Sequence, residues 1–252
     1  MAFSVLVTGA NRGIGLELTR RLVSQSGTDQ AKHVFATCRN TGDCKDLDDI
    51  KEKHDNLHIL ELDVTDEASY PRLVKQVEQV VKGDGLNLLI NNAGFANNQP
   101  LHELTSEQMR HMYDVNCIAP IMLTKAFLPL LRAGSHANPD LSGEIMCWKR
   151  AAVVNINSRM GSIADNGMGK FYAYRASKAA QNAVTRSLGI DLRPERILVV
   201  SVDPGWVQTR MGGPNGKISP EESARRIVST LSKLGPEHTS TYMDNLGEPL
   251  PW

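Results

Sequence analysis

The chain has 252 residues, of which 41% are hydrophobic and 22% are charged, and its acidic and basic side chains balance to zero net charge. This length and composition suit a soluble protein with one large core, and without blocks of like charge nothing favours nucleic acid or an anionic membrane as a partner. No apolar run approaches the roughly 20 residues of a membrane span, and the N-terminus lacks the basic region of a signal peptide. We therefore expect a cytoplasmic protein.

The four cysteines, Cys38, Cys44, Cys117 and Cys147, have no paired spacing. We interpret them as reduced thiols of a cytosolic protein. A metal site made by Cys38, Cys44 and His33 matches no known ligand spacing, so we predict no metal.

The N-terminal segment predicts a nucleotide-binding turn. A short β-branched run at 3–7 predicts a buried strand and leads into TGANRGIG, after which 16–26 has the apolar spacing of a helix. Glycines let the backbone approach a pyrophosphate, and the helix N-terminus offers free N–H groups, so this order is typical of a dinucleotide-binding unit. The spacing Gly9-x-x-x-Gly13-x-Gly15 differs from the commoner G-x-G-x-x-G, and a purely structural turn is the alternative.

The end of the second predicted strand, 33–37, bears on which dinucleotide would bind. In NAD-binding units an acidic residue at this place takes the ribose 2′-hydroxyl, whereas here Arg39 follows Cys38. A guanidinium pairs bidentately with phosphate, and Arg12 in the Gly-rich turn adds a second positive charge. We therefore predict NADP(H), with two solvated surface arginines as the alternative.

Strand-like and helix-like segments alternate along the chain. This pattern predicts an α/β fold of the Rossmann type, in which a doubly wound parallel sheet of about seven strands carries helices on both faces. No linker or internal repeat is present, so we predict a single domain over 1–252, with a cofactor-binding half at about 1–100 and a catalytic and substrate half at about 101–252. The remaining elements are predicted as a surface helix within 41–56, strands at 57–62, 86–90, 151–157, 197–202 and 239–243, and helices at about 71–81, 105–132, 172–193 and 219–234.

Pro120 draws attention to Asn116. A capping box at 105–108 precedes the long helical segment in which Pro120 lies. Proline has no N–H, so the main-chain carbonyl of Asn116 is left open to water or another donor, and the helix should kink. A tolerated kink in a core helix is the alternative.

Two irregular segments remain. Residues 133–150 are polar and interrupted by glycine and proline, so we predict an exposed excursion that covers a sheet edge or a partner surface. Residues 212–216 are rich in glycine and follow the sixth strand, where a mobile lid could lie over a ligand.

The stretch from Ser158 to Lys178 carries the predicted chemistry. Ser158 ends the fifth strand, and Tyr174 and Lys178 are four residues apart, so they share one face of a helix. A hydroxyl, a phenol and an ammonium in one cleft suggest proton transfer to or from an oxygen. An exposed helix face is the alternative for Tyr174 and Lys178, and Ser162 is an alternative for Ser158.

These motifs together resemble the short-chain dehydrogenase/reductase family. TGANRGIG, Asp63, NNAG at 91–94, Asn116, Ser158, Tyr174-x-x-x-Lys178 and Pro204-Gly205 match that family's motifs in order and cover nearly the whole chain. TCRN, AYRASK, PGWVQTRMGG and the final G-x-P-L-x-W are similar to the carbonyl reductases of the sniffer type within it. One departure is the interval from Ser158 to Tyr174, which is a few residues longer than usual and contains Gly167 and Gly169.

The resemblance implies hydride transfer between a nicotinamide and a carbonyl carbon. It implies Tyr174 as the general acid, Lys178 as the group that lowers the pKa of Tyr174 and bonds the nicotinamide ribose, Ser158 as the group that polarises the substrate oxygen, and Asn116 as the holder of a proton-relay water. The implied cofactor-binding residues are Gly9, Asn11, Arg12, Gly13, Ile14, Gly15, Arg39, Asp63, Val64, Asn91, Ala93, Gly94, Tyr174, Lys178, Pro204, Gly205, Val207 and Thr209. Phe95, Met160 and Trp206 are expected as walls of the substrate pocket, although core packing explains them equally well.

Three functions follow from this reasoning. The first is NADPH-dependent reduction of aldehydes, ketones or quinones. The second is an NAD(P)-dependent alcohol or hydroxysteroid dehydrogenase, and the third is a non-catalytic NADP-binding module. The expected partner is a small carbonyl compound, and the resemblance also allows a homodimer.

Overall fold

The computed structural model describes residues 3–27, 30–137 and 145–252. Seven parallel strands form one sheet in the order β3-β2-β1-β4-β5-β6-β7. The strands are β1 (Ser4–Val7), β2 (His33–Cys38), β3 (Leu57–Glu61), β4 (Leu88–Asn91), β5 (Ala152–Ile156), β6 (Leu198–Asp203) and β7 (Thr241–Asp244). The helices are α1 (Gly13–Val23), α2 (Lys45–Lys51), α3 (Tyr70–Val81), α4 (Ser106–Tyr113), α5 (Ala119–His136), α6 (Tyr172–Asp191) and α7 (Pro220–Leu231).

The central strands are buried on both faces because helices cover each side of the sheet. Successive side chains of a strand point to opposite faces, and in β1 Val5 and Val7 join the core under α1 and α7 while Leu6 joins the core under α3 and α5. Each β-α-β connection returns the chain to the same edge, so the carboxyl ends of all seven strands lie together. The prediction of a Rossmann-type, doubly wound parallel sheet is confirmed.

The long helix predicted around Pro120 is interrupted rather than simply kinked. One turn of π-helix, Asp114–Ile118, separates α4 from α5, and the Ala119 N–H donates to the carbonyl of Asp114. Pro120 then lies in the first turn of α5, where a missing N–H costs little. A π-turn of this kind is often found at functional sites, and here it carries Asn116.

The helical segment Ser106–His136 is long and apolar enough by composition to cross a membrane, yet 56% of its most apolar window is buried inside the protein. A core helix of a soluble protein meets the same criteria. Within the described chain, Phe127 and Leu131 of α5 pack in the core under the sheet, which accounts for the apolar character of this segment.

The exposed excursion predicted at 133–150 is wrong at both described ends. Helix α5 continues to His136, and Met146 and Trp148 are buried. The Trp148 ring packs edge-on against Phe3 with ring centroids 5.0 Å apart, so alternate apolar residues here close the core beside β1. Residues 138–144 of this segment lie outside the described residues.

Two of the cysteines, Cys38 and Cys44, are in contact although their spacing did not indicate it. Cys38 and Cys44 are free, buried thiols whose Sγ atoms lie 2.6 Å apart, with Cys44 donating to Cys38. Burial raises the pKa of Cys38 to about 12. His33 instead contacts His58, with ring nitrogens 3.2 Å apart. Among residues 3–27, 30–137 and 145–252, no group of three or more potential ligands could hold a metal ion.

Candidate active site

The predicted site residues surround the carboxyl edge of the sheet where the strand order reverses. Strands β1 and β4 are neighbours in the sheet. The chain runs from β1 through β2 to β3 on one side of β1 and then crosses back to β4 on the other side. Open α/β sheets bind ligands in the crevice at this point. Gly9 and Gly13 follow β1 with φ values of +63° and +56°, which glycine adopts without strain.

The Gly-rich turn fits the pyrophosphate of a dinucleotide. A Cβ added at Gly15 would lie 2.4 Å from the Gly9 carbonyl oxygen, so α1 begins directly against the turn. Arg12 makes no side-chain cap at this helix, and no acidic residue lies in its first turn. The helix N-terminus therefore presents N–H groups and a positive dipole end to an anion. Asn11 and Ile14 are half-buried beside it.

We expect Gly15→Ala to lower the melting temperature by several degrees and to weaken dinucleotide binding about tenfold or more. The added methyl group would force apart the turn and the start of α1, and an overpacked site typically costs about 1–3 kcal/mol. Thermal denaturation and a dye-displacement titration measure the two effects. Gly83→Ala is the matched control because a Cβ there meets nothing within 4 Å; equal behaviour of the two variants would contradict this packing argument.

The side that would receive the adenosine contains exposed charged groups and the half-buried Val64. Arg12 and Arg39 are exposed, as a phosphate contact requires. The Asp63 carboxylate accepts hydrogen bonds from Thr65, which with the Arg39 charge lower the pKa of Asp63. Val64 lines a shallow recess at the end of β4. The geometry thus brings Arg39, Asp63 and Val64 to the predicted side of the crevice.

The NNAG segment ties β4 to the Gly-rich turn. The Asn92 amide donates to the carbonyls of Thr8 and Gly9, and the Thr8 hydroxyl accepts from the Asn92 and Ala93 N–H groups at 3.0 and 2.9 Å. The Asn91 amide instead donates to Asn155 Oδ1 at 2.8 Å inside the sheet. The buried Oδ1 of Asn91 has no hydrogen-bond partner among the described residues, and Asn91 lines the recess at the end of β4. Exposed Gly94 continues the segment towards the cleft.

The segment after β6 folds back over the Gly-rich turn. A Cβ on Gly13 would meet Thr209 Cγ2 at 3.3 Å, so Thr209 lies beside the predicted pyrophosphate site. Val207 is buried and Gly205 adopts φ +84°. The Trp206 indole donates to the Gly212 carbonyl at 2.7 Å. This hydrogen bond therefore holds the start of 212–216, the segment that we predicted as a mobile lid.

Ser158, rather than Ser162, meets Tyr174. The Ser158 side chain lies close enough to the Tyr174 phenol to lower its pKa, and the Ser158 hydroxyl accepts from the Met160 N–H at 3.2 Å. The Ser162 hydroxyl instead donates to the main-chain oxygen of Trp252 at 3.3 Å. Burial is the largest influence on Tyr174 and raises its pKa to about 12, so this phenol is protonated at neutral pH.

The Lys178 ammonium has two hydrogen-bond acceptors in this structure. Its Nζ donates to the Ile156 carbonyl and to Gln181 Oε1, both at 2.8 Å, and burial lowers the pKa of Lys178 to about 7. Burial has the largest effect on the pKa of Lys178 and on that of Tyr174. The expectation that Lys178 lowers the pKa of Tyr174 stays a prediction.

The Asn116 side chain is fully buried and ties two elements together. Its Oδ1 accepts from the Phe95 N–H at 2.9 Å, while its Nδ2 donates to the Phe95 carbonyl at 2.8 Å and to Ser177 Oγ at 3.0 Å. These bonds join the loop after β4 to α6, one residue before Lys178. The role of the Asn116 carbonyl in a proton relay stays a prediction.

Apolar side chains lie at the mouth of the cleft. Phe95 and Trp206 are 39% and 52% exposed, and Met160 packs against the cluster that contains Tyr174. Ile163 and Met168, in the long loop before Tyr174, are also exposed. Of the three predicted wall residues, Phe95 and Trp206 are therefore exposed, whereas Met160 is half-buried against the Tyr174 cluster.

Three residues that hold the site residues in place were not predicted from the sequence. Gln181 accepts from Lys178, and the Asn157 amide donates to Ser201 and to the Lys178 carbonyl. Asp203 is buried and accepts from the Arg159 N–H, which holds the turn after Ser158. A polar residue at the carboxyl end of an apolar strand, such as Asn157 or Asp203, is a detectable sign of such a role. Gln181 on a mixed helix gives no such sign.

Known proteins share this architecture. The carbonyl reductase Sniffer of D. melanogaster superposes with a TM-score of 0.96 at 42% identity, with all of both chains covered. The NADPH-bound carbonyl reductase from chicken fatty liver gives a TM-score of 0.94 at 38% identity, covering 100% of this chain and 94% of the other. The C-signal protein of Myxococcus xanthus is 38% identical over 168 residues, which are 66% of this chain and 93% of that protein.

A family model matches most of the chain. The model of the short chain dehydrogenase family matches residues 4–218, which include the Gly-rich turn, Ser158, Tyr174 and Lys178. The described fold and the two carbonyl reductase structures agree with that match. The chain is therefore an oxidoreductase of the short-chain dehydrogenase family.

Proposed function

We propose that this protein reduces aldehydes, ketones or quinones to alcohols with NADPH. The observation that carries the proposal is the placement of Ser158 next to the buried Tyr174 phenol, whose pKa it lowers, at the edge of the sheet where the Gly-rich turn also lies. The likeness to a carbonyl reductase bound to NADPH supports both the cofactor and the substrate class. Exposed Arg12 and Arg39, with no acidic residue ending β2, support the 2′-phosphate.

Each of the site residues has its own role in the proposed reduction. Gly9, Gly13 and the α1 N-terminus hold the pyrophosphate, and Lys178 holds the nicotinamide ribose. A bound nicotinamide would supply the hydride for the carbonyl carbon. Negative charge then develops on the substrate oxygen. Ser158 donates a hydrogen bond to that oxygen, and Tyr174 transfers its phenolic proton to it.

Tyr174 is in the protonation state that a reduction requires. Burial keeps the Tyr174 pKa near 12, so the phenol carries the proton that a reduction consumes. Lys178, with a pKa of about 7, exchanges protons readily near neutral pH and would return one to the site. The apolar mouth at Phe95, Trp206 and Met168 suits a carbonyl compound with an apolar or aromatic body.

A panel of aldehydes, ketones and quinones tests the function with NADPH and with NADH. We expect several of these carbonyls to be reduced, with kcat/KM for NADPH at least about tenfold above that for NADH. Tight NADPH binding without reduction of any carbonyl would favour the non-catalytic module. Faster oxidation of alcohols with NAD would favour the dehydrogenase alternative.

We expect Arg39→Ala to raise KM for NADPH about tenfold or more while KM for NADH stays within about twofold, since a lost charge-assisted pair costs about 1.5–3 kcal/mol. Only the 2′-phosphate distinguishes the two cofactors. Steady-state kinetics with each cofactor measures the split, and Arg21→Ala, an exposed arginine at the far end of α1, is the control. A parallel change in both KM values would remove Arg39 from the phosphate site.

A further inference from the structure

The C-terminal segment, 241–252, lies beyond the residues that the family model matches. It begins as the edge strand β7 and folds back on itself. The Asp244 N–H donates to the Glu248 carbonyl at 2.9 Å and the Leu250 N–H to the Tyr242 carbonyl at 3.0 Å. We call this segment the C-terminal hairpin. Its turn returns Trp252 to the same end of the sheet as Tyr174.

Tyr242 of this hairpin reaches the catalytic serine. Its side chain is 2% exposed, and its hydroxyl donates to the main-chain carbonyl of Ser158 at 2.6 Å. The Trp252 ring covers it, with ring centroids 5.6 Å apart. Burial and the nearby Asp203 and Tyr174 raise the pKa of Tyr242, so it remains a donor at any physiological pH.

The Ser158 carbonyl receives two donors, the Gly161 N–H at 2.7 Å and the Tyr242 hydroxyl. The Ser158 N–H donates to Asn157 Oδ1 at 2.8 Å. These bonds fix the peptide planes on both sides of Ser158, whose backbone is extended with φ −162° and ψ 143°. The direction of the Ser158 side chain follows from those planes. Of the three hydrogen bonds just described, only the one from Tyr242 comes from a residue outside the local turn.

The hairpin also holds the other walls of the site. The main-chain oxygen of Trp252 accepts from the Ala164 N–H at 3.1 Å, at the start of the long loop before Tyr174. The Asn245 amide donates to the Pro204 carbonyl at 2.7 Å, in the turn predicted to face the nicotinamide. One short segment therefore holds both the stretch from Ser158 to Ala164 and the Pro204 turn, two parts of the cleft that are distant in sequence.

We propose that Tyr242 is a positioning residue for the reduction. It holds the Ser158 carbonyl so that the Ser158 hydroxyl faces Tyr174 and the substrate oxygen. This inference rests on the roles proposed above for Ser158 and Tyr174. Tyr242 itself touches neither substrate nor cofactor, so its effect must pass through Ser158.

Tyr242→Phe removes one hydroxyl and keeps the ring. We expect kcat to fall about tenfold, because a misdirected Ser158 loses part of its interaction with the developing charge. The KM for NADPH should stay within about twofold, since the Gly-rich turn is untouched. The substrate is the carbonyl compound that the panel shows to react fastest. Tyr70→Phe is the matched control, because Tyr70 is also buried and donates to a main-chain carbonyl, that of Val64.

A double-mutant cycle with Ser158→Ala separates positioning from general destabilisation. If Tyr242 acts through Ser158, adding Tyr242→Phe to Ser158→Ala should change kcat by less than about twofold. Additive losses, or an equal loss of kcat in Tyr70→Phe, would overturn the inference. Trp252→Ala provides a second route if Tyr242→Phe does not fold. It admits water to the Tyr242 hydroxyl and should lower kcat about threefold, and unchanged kcat in this variant would also contradict the inference.

Tyr174→Phe, assayed alongside, tells the two proposals apart. Full activity in Tyr174→Phe would reject the proposed function. Loss of activity in Tyr174→Phe, together with normal kcat in Tyr242→Phe, would reject only the positioning role.

Discussion

Replacing Tyr174 with phenylalanine should lower kcat for carbonyl reduction by about 100-fold or more, the usual contribution of a positioned general acid. Phenylalanine keeps the ring, which packs with Met112 and Ala173, but has no proton to transfer. The dissociation constant for NADPH should change less than about threefold, because binding does not depend on the transferred proton. Stopped-flow reduction at saturating NADPH measures the chemical step, and fluorescence titration measures binding.

Tyr172→Phe is the control for this loss. It removes a phenolic hydroxyl from the same turn of α6 at an exposed position, where no proton transfer is proposed. Its kcat should stay close to that of the wild type. Equal rates for wild type and Tyr174→Phe would mean that water or another side chain protonates the product, and the assignment of Tyr174 would fail.

The stability of the protein should depend on pH through Lys178. Burial lowers the Lys178 pKa from 10.5 to about 7, so between these values the unfolded chain binds a proton that the folded chain releases. The free energy of unfolding of the wild type should therefore rise with pH in this window, relative to Lys178→Met, by up to about 1.4 kcal/mol per pH unit. The penalty for burying the charge is complete below pH 7 and disappears above pH 10.5.

Urea denaturation of both proteins without cofactor, from neutral to mildly alkaline pH, measures this difference. Lys125→Met controls for the loss of a lysine side chain, because Lys125 is exposed on α5. Curves for wild type and Lys178→Met that run parallel through the window would show that Lys178 stays charged in the folded protein. The low pKa at Lys178 would then be wrong, and with it the proton exchange proposed for this residue.

The sequence is sufficient to predict the parts of the site that depend on local pattern. The Gly-rich turn after β1 and the Tyr174–Lys178 spacing specify their own geometry. Parallel strands bring their carboxyl ends to one edge, so Ser158 and the Pro204 turn could be placed near them. Pro120 correctly marked the neighbourhood of Asn116, although the helix there forms a π-turn instead of a kink.

The rest depends on burial and on contacts between distant segments. The spacing of Tyr174 and Lys178 shows neither how deeply Lys178 is buried nor that its Nζ bonds the Ile156 carbonyl and Gln181. Tyr242 is 84 residues from Ser158, and no pattern within β7 points to that partner. Met146 and Trp148 lie in a polar, glycine-containing stretch whose return to the core is visible only in three dimensions.

The most direct test follows the hydride itself. NADPH carrying deuterium at both C4 positions of the nicotinamide is mixed with the wild-type protein and the best aldehyde or ketone substrate, and the alcohol is examined by mass spectrometry and NMR. We predict one deuterium at the carbinol carbon for each NADPH oxidised, with the hydroxyl hydrogen derived from solvent. Alcohol without deuterium, or bound NADPH with no alcohol formed, would contradict the account.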